Sequence, residues 1–62
     1  MIGFLSGIVR STQGHQAIVV TGGVGYSVSL PANLHVLPDQ KVELFIHTHV
    51  REDALTLFGF KD

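Results

Sequence analysis

The chain has 62 residues and no cysteine, so neither a disulfide framework nor a zinc–thiolate cluster stabilises it. Its formal net charge is −1 and only 15% of its residues are charged, whereas a free-standing nucleic-acid-binding domain is usually basic. Its apolar runs are shorter than the roughly 18 residues that cross a bilayer, and its first residues do not resemble a secretory signal. We therefore expect one small cytoplasmic domain that gains stability from a partner surface and does not enter a membrane.

The first third of the chain predicts two strands. Residues 2–10 are expected to form the first strand, whose two glycines fall on one face and allow the bend that barrel closure requires. Residues 12–15 predict a turn, and residues 16–21 predict the second strand. Gly22-Gly23 then predicts a tight hairpin turn, because glycine adopts positive φ angles at little cost.

The third predicted strand, residues 24–30, has the clearest period of two in the sequence. Its larger side chains point to one face and its small side chains to the other: Val24, Tyr26, Val28 and Leu30 against Gly25, Ser27 and Ser29. Pro31 ends this strand because proline has no N–H to donate. Residues 31–37 are expected to form one or two helical turns, and Pro38-Asp39 predicts another turn.

Two further strands complete the predicted fold. The fourth covers residues 41–50, with a buried face made by Val42, Leu44, Ile46 and Val50, and the fifth covers residues 54–60. Three strands, a short helical link and two strands are the order of a five-stranded Greek-key barrel of the OB type. We predict this all-β fold as a single domain over residues 1–62. Small SH3-like barrels have similar strand counts. The residues by themselves therefore support a small β-barrel more firmly than the OB type in particular.

Catalytic and metal-binding motifs are weak in this sequence. His47 and His49 lie on one strand face, but two imidazoles without a third ligand predict outward-facing polar residues rather than a metal site. The glycine-rich stretch at residues 22–25 is followed by a strand, not by the helix that a phosphate-binding loop requires. The serines lack a nucleophile elbow or a His–Asp pattern. We therefore predict a domain that is not an enzyme and needs no cofactor.

Arg51-Glu52-Asp53 is expected at the tip between the fourth and fifth strands. Two adjacent carboxylates on a protruding turn can repel phosphate, accept a basic partner or bind a cation. They are equally typical of ordinary turns, where aspartate is favoured and charges are solvated. The residue types alone leave these alternatives open.

Five motifs follow one another along the chain: Met1-Ile2-Gly3 with Gly7, Gly22-Gly23-Val24-Gly25-Tyr26, Leu30-Pro31, Thr48-His49-Val50-Arg51-Glu52-Asp53-Ala54, and Leu57-Phe58-Gly59-Phe60. In this order they resemble the N-terminal OB domain of the RuvA family, whose members bind Holliday junctions in bacterial branch migration. Phe58 stands where tyrosine is frequent in the family, and Phe4 and Ser6 occupy positions that are often basic.

The resemblance implies a longer protein in which a helix-hairpin-helix domain and a tethered domain follow. Neither is present in residues 1–62, so the chain looks like a fragment that binds four-way junction DNA weakly or not at all by itself. The implied partners are junction DNA, three further copies in a homotetramer, the RuvB motor through the absent domain, and the RuvC resolvase. The implied role is that of a non-catalytic subunit in an ATP-dependent branch-migration complex.

For Glu52 and Asp53 the resemblance implies an acidic pin. Carboxylates from four subunits would meet at the crossover and repel phosphates there, which disfavours continuous duplex. Arg51 would either pair with one of these acids or contact a phosphate.

The alternative is a generic small-barrel module that binds protein, or single-stranded nucleic acid through stacked aromatic rings. The aromatic side chains are Phe4, Tyr26, Phe45, Phe58 and Phe60. A core this small is expected to use most of them, so we rank this alternative lower.

Overall fold

Five strands close into a barrel in the computed structural model, which describes residues 2–52 and 55–61. The strands are β1 (Phe4–Gln13), β2 (Gln16–Thr21), β3 (Val24–Ser29), β4 (Lys41–Val50) and β5 (Leu55–Phe60). Their order around the barrel is β1-β2-β3-β5-β4, with β4 pairing back to β1. Only the β3–β5 pair is parallel among these strands. The predicted all-β, five-stranded barrel of the OB type is confirmed.

The first strand is longer than the sequence predicts because it belongs to two strand pairs. Its first half pairs with β4 and its second half pairs with β2, with a bulge between Val9 and Ser11. The turn to β2 is correspondingly shorter than predicted. Gly7 allows β1 to approach β2 closely, and this is its role rather than the main bend of β1. A Cβ at this position would overlap the carbonyl oxygen of Val20 in β2.

The β2–β3 connection is the predicted two-glycine hairpin turn. Gly22 has a φ of 59° and Gly23 a φ of 83°, and positive φ at both central residues is the geometry of a type I′ turn. The twist of such a turn matches that of the flanking strands, which explains why β2 and β3 pair in register over all six residues of each.

The link between β3 and β4 is not helical, which differs from the expected helical turns over residues 31–37. One hydrogen-bonded turn forms, in which Leu34 N–H donates to the Pro31 carbonyl at 3.0 Å. Residues 34–37 then have no regular secondary structure, and a second turn follows at Pro38-Asp39. The residue before a proline is disfavoured in helical backbone, which works against a helix running into Pro38. Two backbone hydrogen bonds fasten the end of the link to β1: Asp39 N–H donates to the Val9 carbonyl at 2.7 Å, and Val9 N–H donates to the Gln40 carbonyl at 2.9 Å.

The barrel interior is filled by aliphatic side chains from every strand. Burial of these side chains removes apolar surface from water and is the main stabilising contribution to a fold of this size. Nine apolar side chains of the described residues are buried there: Leu5, Val9, Ala17, Val19, Val28, Val42, Leu44, Ile46 and Leu57. The predicted buried face of β4 is confirmed for its first three members, but Val50 is 68% exposed because it lies where β4 has left the barrel wall. No helix in the described residues is long and apolar enough to cross a membrane.

Candidate functional site at the β4–β5 hairpin

The end of the β4–β5 hairpin projects from the barrel. β1 pairs with β4 only as far as Phe45, and β3 pairs with β5 only at Leu57 and Phe58. The last two paired rows of the hairpin are His49 with Thr56 and Val50 with Leu55. In the part of the chain that the structure describes, these two rows have no third strand beside them. The hairpin therefore extends as a two-stranded ribbon.

Arg51 and Glu52, two of the three charged residues predicted at this turn, directly follow β4 at the end of the hairpin. Val50 and Leu55 form the last pair. Arg51 and Glu52 are both exposed. Asp53, the second predicted acid, lies outside the described residues. Two strongly exposed apolar side chains, Val50 and Leu55, flank the tip.

The N-terminal segment supports one side of the hairpin. Ile2 N–H donates to Thr48 Oγ1 at 3.2 Å, and the Thr48 hydroxyl donates back to the Ile2 carbonyl at 3.0 Å. Ile46 N–H donates to the Gly3 carbonyl at 3.0 Å. These bonds hold the middle of β4 just before the strand leaves the barrel, so the projecting tip starts from a fixed base.

Arg51 folds back along β4. Its Nε–H donates to His49 Nε2 at 3.2 Å, which uses the imidazole nitrogen as an acceptor. The His49 ring in turn stands edge-on to Phe58, with ring centroids 6.5 Å apart. The guanidinium retains further N–H donors for a phosphate or a carboxylate. The contact with His49 is one that the sequence did not predict, and the predicted roles of Arg51 stay predictions.

The electrostatic character of the tip follows from its exposure. Glu52 is an acidic residue that is exposed to solvent at the tip. Its field acts over about one Debye length, roughly 8 Å at physiological salt. A projecting carboxylate thus acts on a polyanion that comes close to the tip and hardly at all on a distant one.

The two histidines of the predicted weak metal motif point outward from β4 and are exposed. His49 accepts the hydrogen bond from Arg51. Among residues 2–52 and 55–61 no group of three or more histidine, cysteine, aspartate or glutamate side chains is placed to hold a metal ion.

The expectation that most of the aromatic rings are needed in the core is wrong. Phe4, Phe45, Phe58 and Phe60 are between 37% and 54% exposed, and only Tyr26 packs partly against the core. The alternation in β4 already indicates an outward-facing ring, because Phe45 stands between two buried residues and must point to the opposite face. The aliphatic side chains already fill this narrow interior.

These observations define a small OB-type barrel domain with a charged, projecting β4–β5 hairpin. The chain belongs to the family described as RuvA N terminal domain, whose model matches residues 1–59. It is 48% identical over 62 residues to the Holliday junction branch migration complex subunit RuvA of Halothermothrix orenii, covering 98% of this chain and 32% of the relative. The same protein of Solidesulfovibrio magneticus is 52% identical over 64 residues, covering 97% of this chain and 32% of the relative.

A third relative, the Holliday junction branch migration complex subunit RuvA of Deinococcus radiodurans, is 47% identical over 64 residues. The match covers 100% of this chain and 32% of the relative. The chain therefore spans about a third of the length of these curated relatives, and the activities of the longer proteins are attributed to it only as proposals.

Proposed function

We propose that this domain serves as the crossover-facing part of a Holliday-junction-binding subunit in homologous recombination and DNA repair. The projection of the charged β4–β5 tip beyond the barrel wall is the observation that carries this proposal. Membership of the RuvA N-terminal domain family and the names of the relatives support it. The domain contributes binding and geometry and breaks no bond itself.

In the proposed mechanism Glu52 and Asp53 act as an acidic pin. Four copies in a tetramer bring their tips together where the four DNA arms meet, and the carboxylates repel the phosphates at that point. This repulsion holds the strands apart and keeps the junction open. A continuous duplex has phosphates but no central opening for the tips, so the same repulsion selects against it.

The remaining partners are those that the resemblance to the RuvA family implies. In the proposal, helix-hairpin-helix elements outside this chain grip the DNA backbone, and a further domain engages the RuvB motor, which hydrolyses ATP. The RuvC resolvase acts on the same junction, and the complex works in the bacterial cytoplasm. Arg51, with N–H donors left over from its contact with His49, either pairs with an acid of the pin or contacts a phosphate.

Single-strand binding is the competing function, and the exposed phenylalanines are the observation in its favour. Sites of this kind combine stacked bases with a positively charged groove. The chain carries only four lysines and arginines against five acids, which supplies no such groove. We therefore rank single-strand binding below the junction proposal.

A competition experiment on the longest natural form of this chain tests the proposal. Labelled four-way junction is displaced by unlabelled junction, by linear duplex of the same sequence and by oligo-dT, each at two salt concentrations. A junction preference that persists at the higher salt is the expected result. Equal displacement by junction and duplex would overturn the proposal, and stronger displacement by oligo-dT would favour single-strand binding.

A further inference from the structure

Three side chains on the outward side of the β4–β5 hairpin contact one another in series: Arg51, His49 and Phe58. Arg51 follows β4 directly and lies two positions after His49, so both side chains are on the same face. Arg51 Nε–H donates to His49 Nε2 at 3.2 Å. Phe58 of β5 stands edge-on to the imidazole, with ring centroids 6.5 Å apart. The imidazole thus contacts both the guanidinium and an aromatic ring of the neighbouring strand.

The hydrogen bond turns the Arg51 side chain back along β4. His49 precedes Arg51 in the chain and Glu52 follows it, so the contact draws the guanidinium toward the barrel and away from the acid at the tip. Residues two apart on a strand are separated by about 7 Å at roughly 3.4 Å per residue, which an arginine side chain spans. The hairpin therefore carries an acidic residue at its end and a cation on its outward flank.

The acceptor that holds Arg51 is a neutral group. Nε2 accepts a hydrogen bond only when its lone pair is free, so the His49 ring carries its proton on Nδ1 and has no charge. A carboxylate in this place would neutralise the guanidinium, whereas an imidazole fixes its direction and leaves its positive charge. The Nη groups keep N–H donors in the planar arrangement that matches phosphate oxygens. An arginine held in this way is suited to binding an anion.

We propose that His49 is a positioning residue that holds Arg51 for contact with a backbone phosphate beside the pin. This inference rests on the proposed junction function, and it decides between the two roles of Arg51 given there in favour of the phosphate. A DNA strand that approaches the hairpin is repelled by Glu52 at the end and attracted by Arg51 on the flank. The two residues together guide the strand along the outward side of the hairpin.

The positioning depends on the protonation state of His49. A second proton occupies Nε2, so the acceptor is lost and two positive groups stand side by side. In the part of the chain that the structure describes, the charged or titratable neighbours along the strand are His47, Arg51 and Glu52. The neighbouring strand and the N-terminal segment contribute residues without titratable side chains: Thr56, Phe58, Ile2 and Gly3. Acidification therefore releases Arg51 through His49.

Arginine side-chain NMR of the 62-residue chain tests the contact without DNA. The sequence contains two arginines, so Arg10, which is exposed on β1, is an internal reference for the exchange of Nε–H with water. At about pH 7.5 the Nε–H of Arg51 should exchange about threefold more slowly than that of Arg10, because the hydrogen bond protects it. At about pH 5, where histidines carry the second proton, the ratio of the two exchange rates should approach one.

Three variants separate positioning from mere strand structure. His49→Gln supplies an acceptor oxygen that does not titrate, so the protection of Arg51 should persist and lose its pH dependence. His49→Val keeps a good strand former without an acceptor, so the two arginines should exchange equally at both pH values. His47→Gln is the matched control, because His47 is exposed on the same face of β4 and lies two positions farther from Arg51. It should keep the protection and the pH dependence of the parent chain.

Methylphosphonate linkages test the phosphate contact in the longest natural form of the chain. Affinity is measured for a four-way junction and for the same junction with uncharged methylphosphonate linkages at the crossover. Arg51→Gln and His49→Val should each weaken binding to the charged junction at least about threefold at about pH 7.5, and binding to the uncharged one by less than about twofold. His47→Gln should change neither affinity. Acidification should weaken junction binding by the parent protein more than binding by His49→Gln.

Four results would overturn the inference or its foundation. Equal exchange of the two arginines at about pH 7.5 in the parent chain would overturn the positioning. Protection that is lost in Glu52→Gln but kept in His49→Val would assign Arg51 to the pin acid instead. Equal losses of affinity on the charged and the uncharged junction in Arg51→Gln would overturn the phosphate as its ligand. A protected Arg51 in a protein that prefers no junction over duplex would overturn the proposed function, and the phosphate assignment with it, but not the contact with His49.

Discussion

Ile2 and Thr48 exchange two hydrogen bonds, one in each direction, although 46 positions separate them in the sequence. The N-terminal segment thereby stays beside β4 beyond Phe45, where the strand pairing between β1 and β4 ends. The residues concerned are partly buried, so water does not readily take over these bonds. The N-terminal segment and the projecting hairpin are thus coupled through one hydroxyl group.

Replacing Thr48 with valine should destabilise the domain. Valine has nearly the same shape and strand preference, but it leaves the N–H and the carbonyl of Ile2 without their partner. The expected loss in the free energy of unfolding is about 1–3 kcal/mol, measured by urea denaturation. Thr12→Val in an exposed position of β1 is the control and should change stability by less than about 0.5 kcal/mol. Equal stability of the two variants would show that the bonds to Ile2 contribute nothing.

Gly59 should not tolerate even a methyl group. An ideal Cβ at this position lies 2.7 Å from Val28 Cγ1 and 3.2 Å from Leu44 Cδ1, both on buried side chains. Overpacking of this kind costs about 1–3 kcal/mol, so Gly59→Ala should lower the thermal midpoint by several degrees. Gly3→Ala is the matched control, because nothing lies within 4 Å of a Cβ there. An unchanged midpoint for Gly59→Ala would mean that β3 and β5 are less tightly packed than described.

Neutralising the proposed pin should reduce structure selectivity. In the longest natural form of the chain, Glu52→Gln combined with Asp53→Asn removes the repulsion of phosphates, so binding to linear duplex should tighten by roughly three- to tenfold at low salt. The ratio of junction to duplex affinity should fall accordingly in a competition assay. Asp39→Asn removes an exposed acid elsewhere, in a left-handed turn position that asparagine accepts, and should leave the ratio unchanged. A ratio that stays constant across a salt series in the pin variant would remove the pin from the mechanism.

The 62-residue chain alone should bind four-way junctions weakly. Its formal net charge is −1, and affinity for DNA is dominated by cations that neutralise phosphates. We expect a Kd above about 10 μM at physiological salt, measured by fluorescence anisotropy with labelled junction. Submicromolar binding that weakens steeply with salt would place the DNA-gripping surface in this domain instead.

Local patterns were sufficient for the parts of the fold that depend on neighbouring residues. The strand over residues 16–21, the strand over residues 41–50 and the Gly22-Gly23 turn lie where the sequence predicts them. Glycine pairs and short β-branched runs act within a few residues, so their effect needs no tertiary context. Arg51 and Glu52 likewise follow β4 where the sequence predicts the connection to β5, and their proposed roles stay predictions.

The sequence by itself determined the all-β character, the strand order and the family, since alternation, turn residues and motifs are all local or linear properties. Alternation in β4 also predicted that its aliphatic side, with Leu44, is buried. Only the tertiary structure decided that the aromatic rings stay outside, because the aliphatic side chains fill the closed barrel and leave Phe45 on the opposite face. It also decided that Val50 lies in water, because β4 continues past the end of its pairing with β1. Burial depends on how many strands stand beside a residue, and strands distant in the sequence supply those neighbours.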